Sequence, residues 1–245
     1  SKHGTASVIS ANNVFAHIDD LGGVLDGVQD LLGDDGVFIC EVSYLVDVLD
    51  QTLFDTIYHE HLAYHSVGPL VPFMESHKME LIGATRSNSH GGSLRVVAQK
   101  AGGGRAISSS VAELVDLEKK KGLDKSKTYR EFGNRIEVLK AELTGLLRRK
   151  KTEGCSIAAF GAPAKATTLM YHFCIGEDII DFIVDDSPLK QGLYSPGMHI
   201  PVVPSKVIYD KKPDYIVILA WNFAVSIMEK HRAFKESGGK FIVPL

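Results

Sequence analysis

The spacing of apolar residues changes period several times along the first hundred positions. The run "ASVISANNVF" predicts a buried strand opening into a loop. In "IDDLGGVLDGVQDLLG", Leu21, Val24, Leu25, Val28, Leu31 and Leu32 recur at helical spacing, with Asp19 or Asp20 as N-cap and Gly33 as stop. "GVFICEV" is a short apolar run of strand type. Strand, helix, strand in this order predicts a parallel α/β unit. "MELIGATRS" and "GGSLRVVAQK" alternate with a period of two and predict an antiparallel pair beside it.

Residues 104–153 change character and read as charged helix. Phe132, Ile136, Leu139, Leu143 and Leu146 step by four and three, which makes one amphipathic stripe and a helical connector. From Cys155 the α/β alternation resumes: "CSIAAF", "IIDFIVDD", "YIVILAW" and "FIVPL" are strand-like, with a glycine turn and a helix after the first. The expected fold class is therefore α/β. A parallel α/β unit with an antiparallel ending (1–103) precedes the connector (104–153) and a small, doubly wound Rossmann-like domain (154–245).

Composition narrows the function classes. With 44% apolar residues, 23% charged residues and a formal net charge of −3, the chain has no basic stripe for nucleic acid. The run "RRKK" at 148–151 ends a helix, where it complements the negative end of the macrodipole. Cys40, Cys155 and Cys174 lack paired spacing, so free thiols and a reducing, cytoplasmic setting are expected. No uninterrupted apolar run reaches the roughly 18 residues of a membrane span. The opening "SKHGTASVIS" has no initiator Met, which points to processing or to a fragment.

Titratable chemistry concentrates in "FDTIYHEHLAYHS", where three of the ten histidines, His59, His61 and His65, surround Glu60 between Tyr58 and Tyr64. The H-E-x-x-H pattern of zinc hydrolases fails because residue 63 is Ala, and His61 with His65 lacks a local third ligand; no metal is expected. Two readings remain: a polar segment with satisfied histidines, or a proton-transfer site with imidazole, carboxylate and phenol in reach. Asn12, Asn13 and His17 follow the first strand, at the end where open α/β sheets place ligands. In "FGAPAK", Gly161 after a strand and Lys165 one turn into a helix could hold a phosphate. The acid pair Asp185–Asp186 begins 24 residues after Gly161, near the ribose position of dinucleotide folds. The G-x-G-x-x-G pattern fails at Pro163 and Ala166, so a purely structural turn stands equally open.

Taken in order, "ANNVFAHIDD", "FDTIYHEHLAYHS", "HGGSLRV" and "FGAPAKATTL" resemble the S-adenosylmethionine-dependent C-methyltransferases of deoxysugar biosynthesis, from about residue 6 onward. The resemblance implies C-methylation of a nucleotide-linked 4-keto-deoxysugar, typically at C3, after deprotonation of that carbon. It implies that residues 1–103 are the second half of a methyltransferase domain. It also implies a longer enzyme, whose preceding part holds a zinc-binding segment and the glycine loop for S-adenosylmethionine. His61 is then the expected base, with Tyr58, Glu60 and His17 orienting the sugar or stabilising the enolate. Asn12 and Asn13 fall near the methionine end of the cofactor. Ser93 and Arg95 of "HGGSLR", with Gly161 and Lys165, fall to the nucleotide diphosphate. The alternative is a nucleotide-sugar or dinucleotide-binding module without catalysis. Oligomeric state is left open.

Overall fold

A computed structural model describes residues 4–245, with His90 given by its backbone alone. Ser1, Lys2 and His3 lie outside the described residues. The chain divides into two compact units, residues 1–53 with 59–132 and residues 54–58 with 133–245.

In the first unit, β1 (Ala6–Asn12) leads through a 3-10 turn (Phe15–His17) to α1 (Leu21–Leu31) and β2 (Leu32–Ser43). Asp20 caps α1, its carboxylate accepting from the Gly23 N–H at 2.9 Å. The helix does not run to Gly33. Leu32 is fully buried and already takes the extended backbone, while its N–H still bonds to the Val28 carbonyl. Then follow α2 (Leu45–Asp50), α3 (Val67–Ser76), β3 (Met79–Ser87), β4 (Ser93–Lys100) and α4 (Ser109–Lys121). The sheet order is β1-β2-β4-β3, with β1 parallel to β2 and the expected antiparallel hairpin of β3 and β4 completing it. Phe15, Leu25, Phe38, Tyr44, Met74, Met79 and Leu94 form the core.

Helix α3 buries Val67, Leu70 and Met74 at helical spacing, although Pro72 lies inside it. Its start is fixed from a distance. The buried Glu118 carboxylate of α4 accepts from the N–H groups of Val67 and Gly68, at 2.6 and 2.8 Å, and from the Tyr44 hydroxyl at 2.8 Å. A carboxylate at a helix N-terminus satisfies orphan amides and meets the positive end of the dipole. Helix α4 therefore packs into the first unit, with Val111 in its core. Helix α5 (Ser126–Thr152) continues from there, its residues to Phe132 counted with the first unit and those from Gly133 with the second. Along α5, Phe132, Leu143 and Leu147 are buried and Ile136, Leu139 and Leu146 half-buried, which realises the amphipathic stripe.

The second unit holds β5 (Ile157–Phe160), α6 (Ala164–Phe173), β6 (Ile183–Val184), β7 (Val202–Val203), α7 (Val207–Lys211), β8 (Tyr215–Ile218), α8 (Ala224–Lys230), α9 (Arg232–Glu236) and β9 (Lys240–Ile242). All five strands are parallel, in the order β7-β6-β5-β8-β9. The chain winds outward from β5 in one direction and returns past it to β8, the doubly wound arrangement expected. At the turn after β5, Gly161 has φ +92°, and a Cβ there would lie 2.6 Å from the Ala220 Cβ. Gly161→Ala is thus expected to destabilise the chain by about 1–3 kcal/mol, read as a lower thermal midpoint. An unchanged midpoint would contradict the close approach. No helix among the described residues is long and apolar enough to cross a membrane.

Candidate active site

The loop after β1 and the histidine-rich segment meet in the first unit. Phe15 and Ala16 are buried, which pins the 3-10 turn and leaves His17 exposed at its end. The Leu62 N–H donates to the Ala16 carbonyl at 2.9 Å, a backbone bond that helps dock the segment. It brings the His17 and His61 rings to 5.0 Å between centroids, inclined at 62°. Tyr64 stands edge-on to His61, at 6.1 Å and 89°. Tyr64 also lines two clefts of about 390 and 260 Å³. Glu60 is half-exposed, with His59 at the salt-bridge limit of 4.0 Å. A neutral imidazole carries one donor and one acceptor nitrogen, so two such rings in contact can hold and hand on a proton.

His65 closes the segment in a different role. It is buried, its ring 5.5 Å from that of Phe15, and Leu45 N–H donates to its carbonyl at 3.0 Å. Burial holds the imidazole below its ordinary 6.5, partly opposed by a hydrogen bond to the Phe15 backbone. The unfolded chain then binds the extra proton more readily, so this contribution to stability is present above the unfolded value and lost as pH falls through it. The thermal midpoint is expected to fall between about pH 7 and about pH 5, and to fall less in His65→Phe. Equal falls in both proteins would contradict this assignment.

A second cluster lies at the carboxyl ends of β1 and β2 and the start of β4. Asn12 pairs in register with Glu41, and the Asn13 N–H, at φ +52°, donates to the Glu41 carbonyl at 2.8 Å. The side chains of both asparagines are exposed. Arg95 Nε and Nη2 donate to Glu41 Oε2 at 2.9 and 2.7 Å, and Ser89 Oγ donates to Glu41 Oε1 at 3.0 Å. Glu41 thus neutralises Arg95, which leaves little net charge for a diphosphate. Ser93 is buried, with its hydroxyl on the Ser89 carbonyl. Gly92 of the same motif has φ +129°, and a Cβ there would strike Asp47.

The remaining expected site residues belong to the second unit. Ala162 N–H after Gly161 donates to Asp185 Oδ2 at 2.7 Å, so an internal carboxylate sits at the start of α6. Lys165 Nζ lies 3.6 Å above the centroid of the Trp221 ring and donates to Asn222 Oδ1 at 2.9 Å. Burial pushes this lysine down to about 8, with the nearby Asp55 opposing. Trp221 Nε1 donates to the fully buried Asp55 at 2.6 Å, and burial raises the Asp55 carboxyl above its ordinary range. The segment carrying Tyr58 is held here by that bond, by Phe54 stacked 4.9 Å from Phe173, and by Thr168 Oγ1 on the Ile57 carbonyl. Asp55, Trp221 and Glu41 were not singled out from sequence. Only the uniqueness of Trp221 as the chain's one tryptophan could have drawn notice. Among the described residues, no group of three His, Cys, Asp or Glu side chains is placed to hold a metal ion.

The profile of the C-methyltransferase C-terminal domain matches residues 88–245. The chain belongs to that family. It is also 39% identical over 245 residues to the C-methyltransferase NovU of Streptomyces niveus, covering all of this chain and 58% of that relative. Two solved structures overlap in part. A magnesium protoporphyrin IX methyltransferase from Synechocystis, with bound SAH, covers 40% of this chain and 46% of its own at 10% identity and a TM-score of 0.32. An O-methyltransferase family protein from Burkholderia thailandensis covers 41% of this chain and 32% of its own at 13% identity and a TM-score of 0.30.

Proposed function

We propose that this chain supplies the proton-handling part of an S-adenosylmethionine-dependent C-methyltransferase acting on a nucleotide-linked 4-keto-deoxysugar. The observation that carries the reading is the contact of His17 and His61 beside Tyr64. Membership of a C-methyltransferase family and the identity to NovU support it. A C–H bond next to a ketone is acidified because its conjugate base delocalises onto oxygen. His61 accepts the C3 proton as general base. His17 stabilises the charge that develops on the ketone oxygen or relays the proton onward, and Glu60 orients the sugar.

S-Adenosylmethionine supplies an electrophilic methyl group. The donor set of this chain fits one edge of it: the exposed amides of Asn12 and Asn13 can donate to a carboxylate and accept from an ammonium group. Glu41 is already engaged by Arg95 and Ser89, so it takes no part in that recognition. The full-length protein, given methyl-labelled S-adenosylmethionine and a nucleotide-linked 4-keto-deoxysugar, is expected to place the label on a sugar carbon. Label on oxygen, or none transferred, would overturn the reading. A second reading, nucleotide binding without catalysis, rests on the doubly wound parallel sheet of residues 157–242.

A further inference from the structure

The backbone on either side of Tyr64 is tied down. The Leu62 N–H bonds to the Ala16 carbonyl at 2.9 Å, and the Leu45 N–H bonds to the His65 carbonyl at 3.0 Å. His65 also pairs with Tyr44 in a parallel bridge, and His65, Ser66 and Val67 are all buried. The Tyr64 side chain is placed differently. It is half-buried and does not belong to the core of the first unit. Tyr64 lines a cleft of about 390 Å³ with Leu45, Val115 and Leu123, and another of about 260 Å³ with Leu21 and Phe73. Packed interiors contain few voids of that size. A ring with open space beside it, on a fixed backbone, is placed for something other than filling a core.

The ring meets His61. The two planes stand at 89° with their centroids 6.1 Å apart, within the range of edge-to-face pairs. A contact of this kind depends on orientation. The outer torsion of a histidine side chain has broad wells, so its own backbone does not decide where the imidazole nitrogens point. A turn of the His61 ring out of its present plane alters its contact with Tyr64 and its 62° contact with His17. A general base works only when its acceptor nitrogen is within reach of the proton and aligned with it. The neighbours that fix the plane of His61 therefore act on the rate of proton transfer.

We infer that Tyr64 is a positioning residue, which holds the plane of the His61 imidazole through its aromatic ring rather than through its hydroxyl. The inference rests on the reading of His61 as the base and adds to it a residue that touches neither sugar nor methyl donor.

The full-length protein, supplied with S-adenosylmethionine and a nucleotide-linked 4-keto-deoxysugar, tests it by separate values of kcat and KM. Tyr64→Leu is expected to lower kcat about tenfold and to leave KM for the sugar unchanged. Tyr64→Phe keeps the ring and should restore kcat. Tyr64→Met, which is longer than leucine and also lacks a ring, should match Tyr64→Leu and replaces it if that variant melts early. In a His61→Asn background, Tyr64→Leu should cause no further loss, because the residue it acts through is gone. Wild-type kcat in both non-aromatic variants overturns the proposal. So does a Tyr64→Phe variant as slow as Tyr64→Leu, a change confined to KM, or a further loss on top of His61→Asn. An inactive His61→Asn beside an unimpaired Tyr64→Leu removes the positioning role alone, whereas a fully active His61→Asn removes the base assignment itself.

Discussion

In the full-length protein, His61→Asn is expected to lower turnover by about 10²–10⁴-fold, the usual contribution of a positioned general base. Asparagine can still make polar contacts in the space of the ring but has no group that titrates near neutrality. Affinity for the nucleotide sugar should stay close to that of the wild type, because binding draws on residues elsewhere. The loss therefore falls on kcat rather than KM. His17→Asn should act on the same step through its ring contact with His61, and the double variant should lose less than the two losses combined. Turnover of His61→Asn near the wild-type rate would remove His61 from the role of base.

The largest expected effect on stability lies elsewhere in the first unit. Glu118→Ala would leave the N–H groups of Val67 and Gly68 and the Tyr44 hydroxyl without their shared acceptor. Glu118 is only 5% exposed, so water cannot readily replace it. Each buried donor left without an acceptor costs about 1–3 kcal/mol, and denaturant unfolding would read the loss directly. Glu118→Gln should cost less, since its amide oxygen can still accept from part of the set. Because α3 begins directly after the His61–His65 segment, the alanine variant should also loosen that segment. A midpoint unchanged in Glu118→Ala would show that α3 needs no cap from α4.

What the sequence made legible follows from how local each determinant is. Helix α1 was readable because its apolar spacing and its Asp20 cap are neighbours in the chain. The pairing of β3 with β4 was readable from two alternating runs close in sequence. The stripe of α5 appeared because a long, exposed helix shows its period openly. Strand β7, two residues long, leaves almost no pattern to detect. Helix α3 was missed because Pro72 argues against a helix locally while its cap comes from Glu118, 51 residues away.

The candidate site shows the same division. "YHEH" and "ANNVFAH" announced themselves by composition, and the 5.0 Å approach of His17 to His61 agrees with reading them together. The charges expected to meet a diphosphate are engaged in ways no motif reveals. Arg95 lies on Glu41, 54 residues away, and Lys165 lies on Trp221 beside an asparagine 57 residues away. The bond from Trp221 to Asp55 spans 166 residues. Sequence shows which groups can carry chemistry; it does not show which of them already have partners.

The central claim, that His61 takes a proton from carbon, is tested most directly by solvent hydrogen exchange at C3. The nucleotide-linked 4-keto-deoxysugar is incubated in deuterium oxide with the full-length protein and without methyl donor, and deuterium at C3 is read by NMR. The wild type is expected to exchange the C3 hydrogen well above the uncatalysed rate, and His61→Asn to fall to that background. Exchange in His61→Asn as fast as in the wild type would contradict the account.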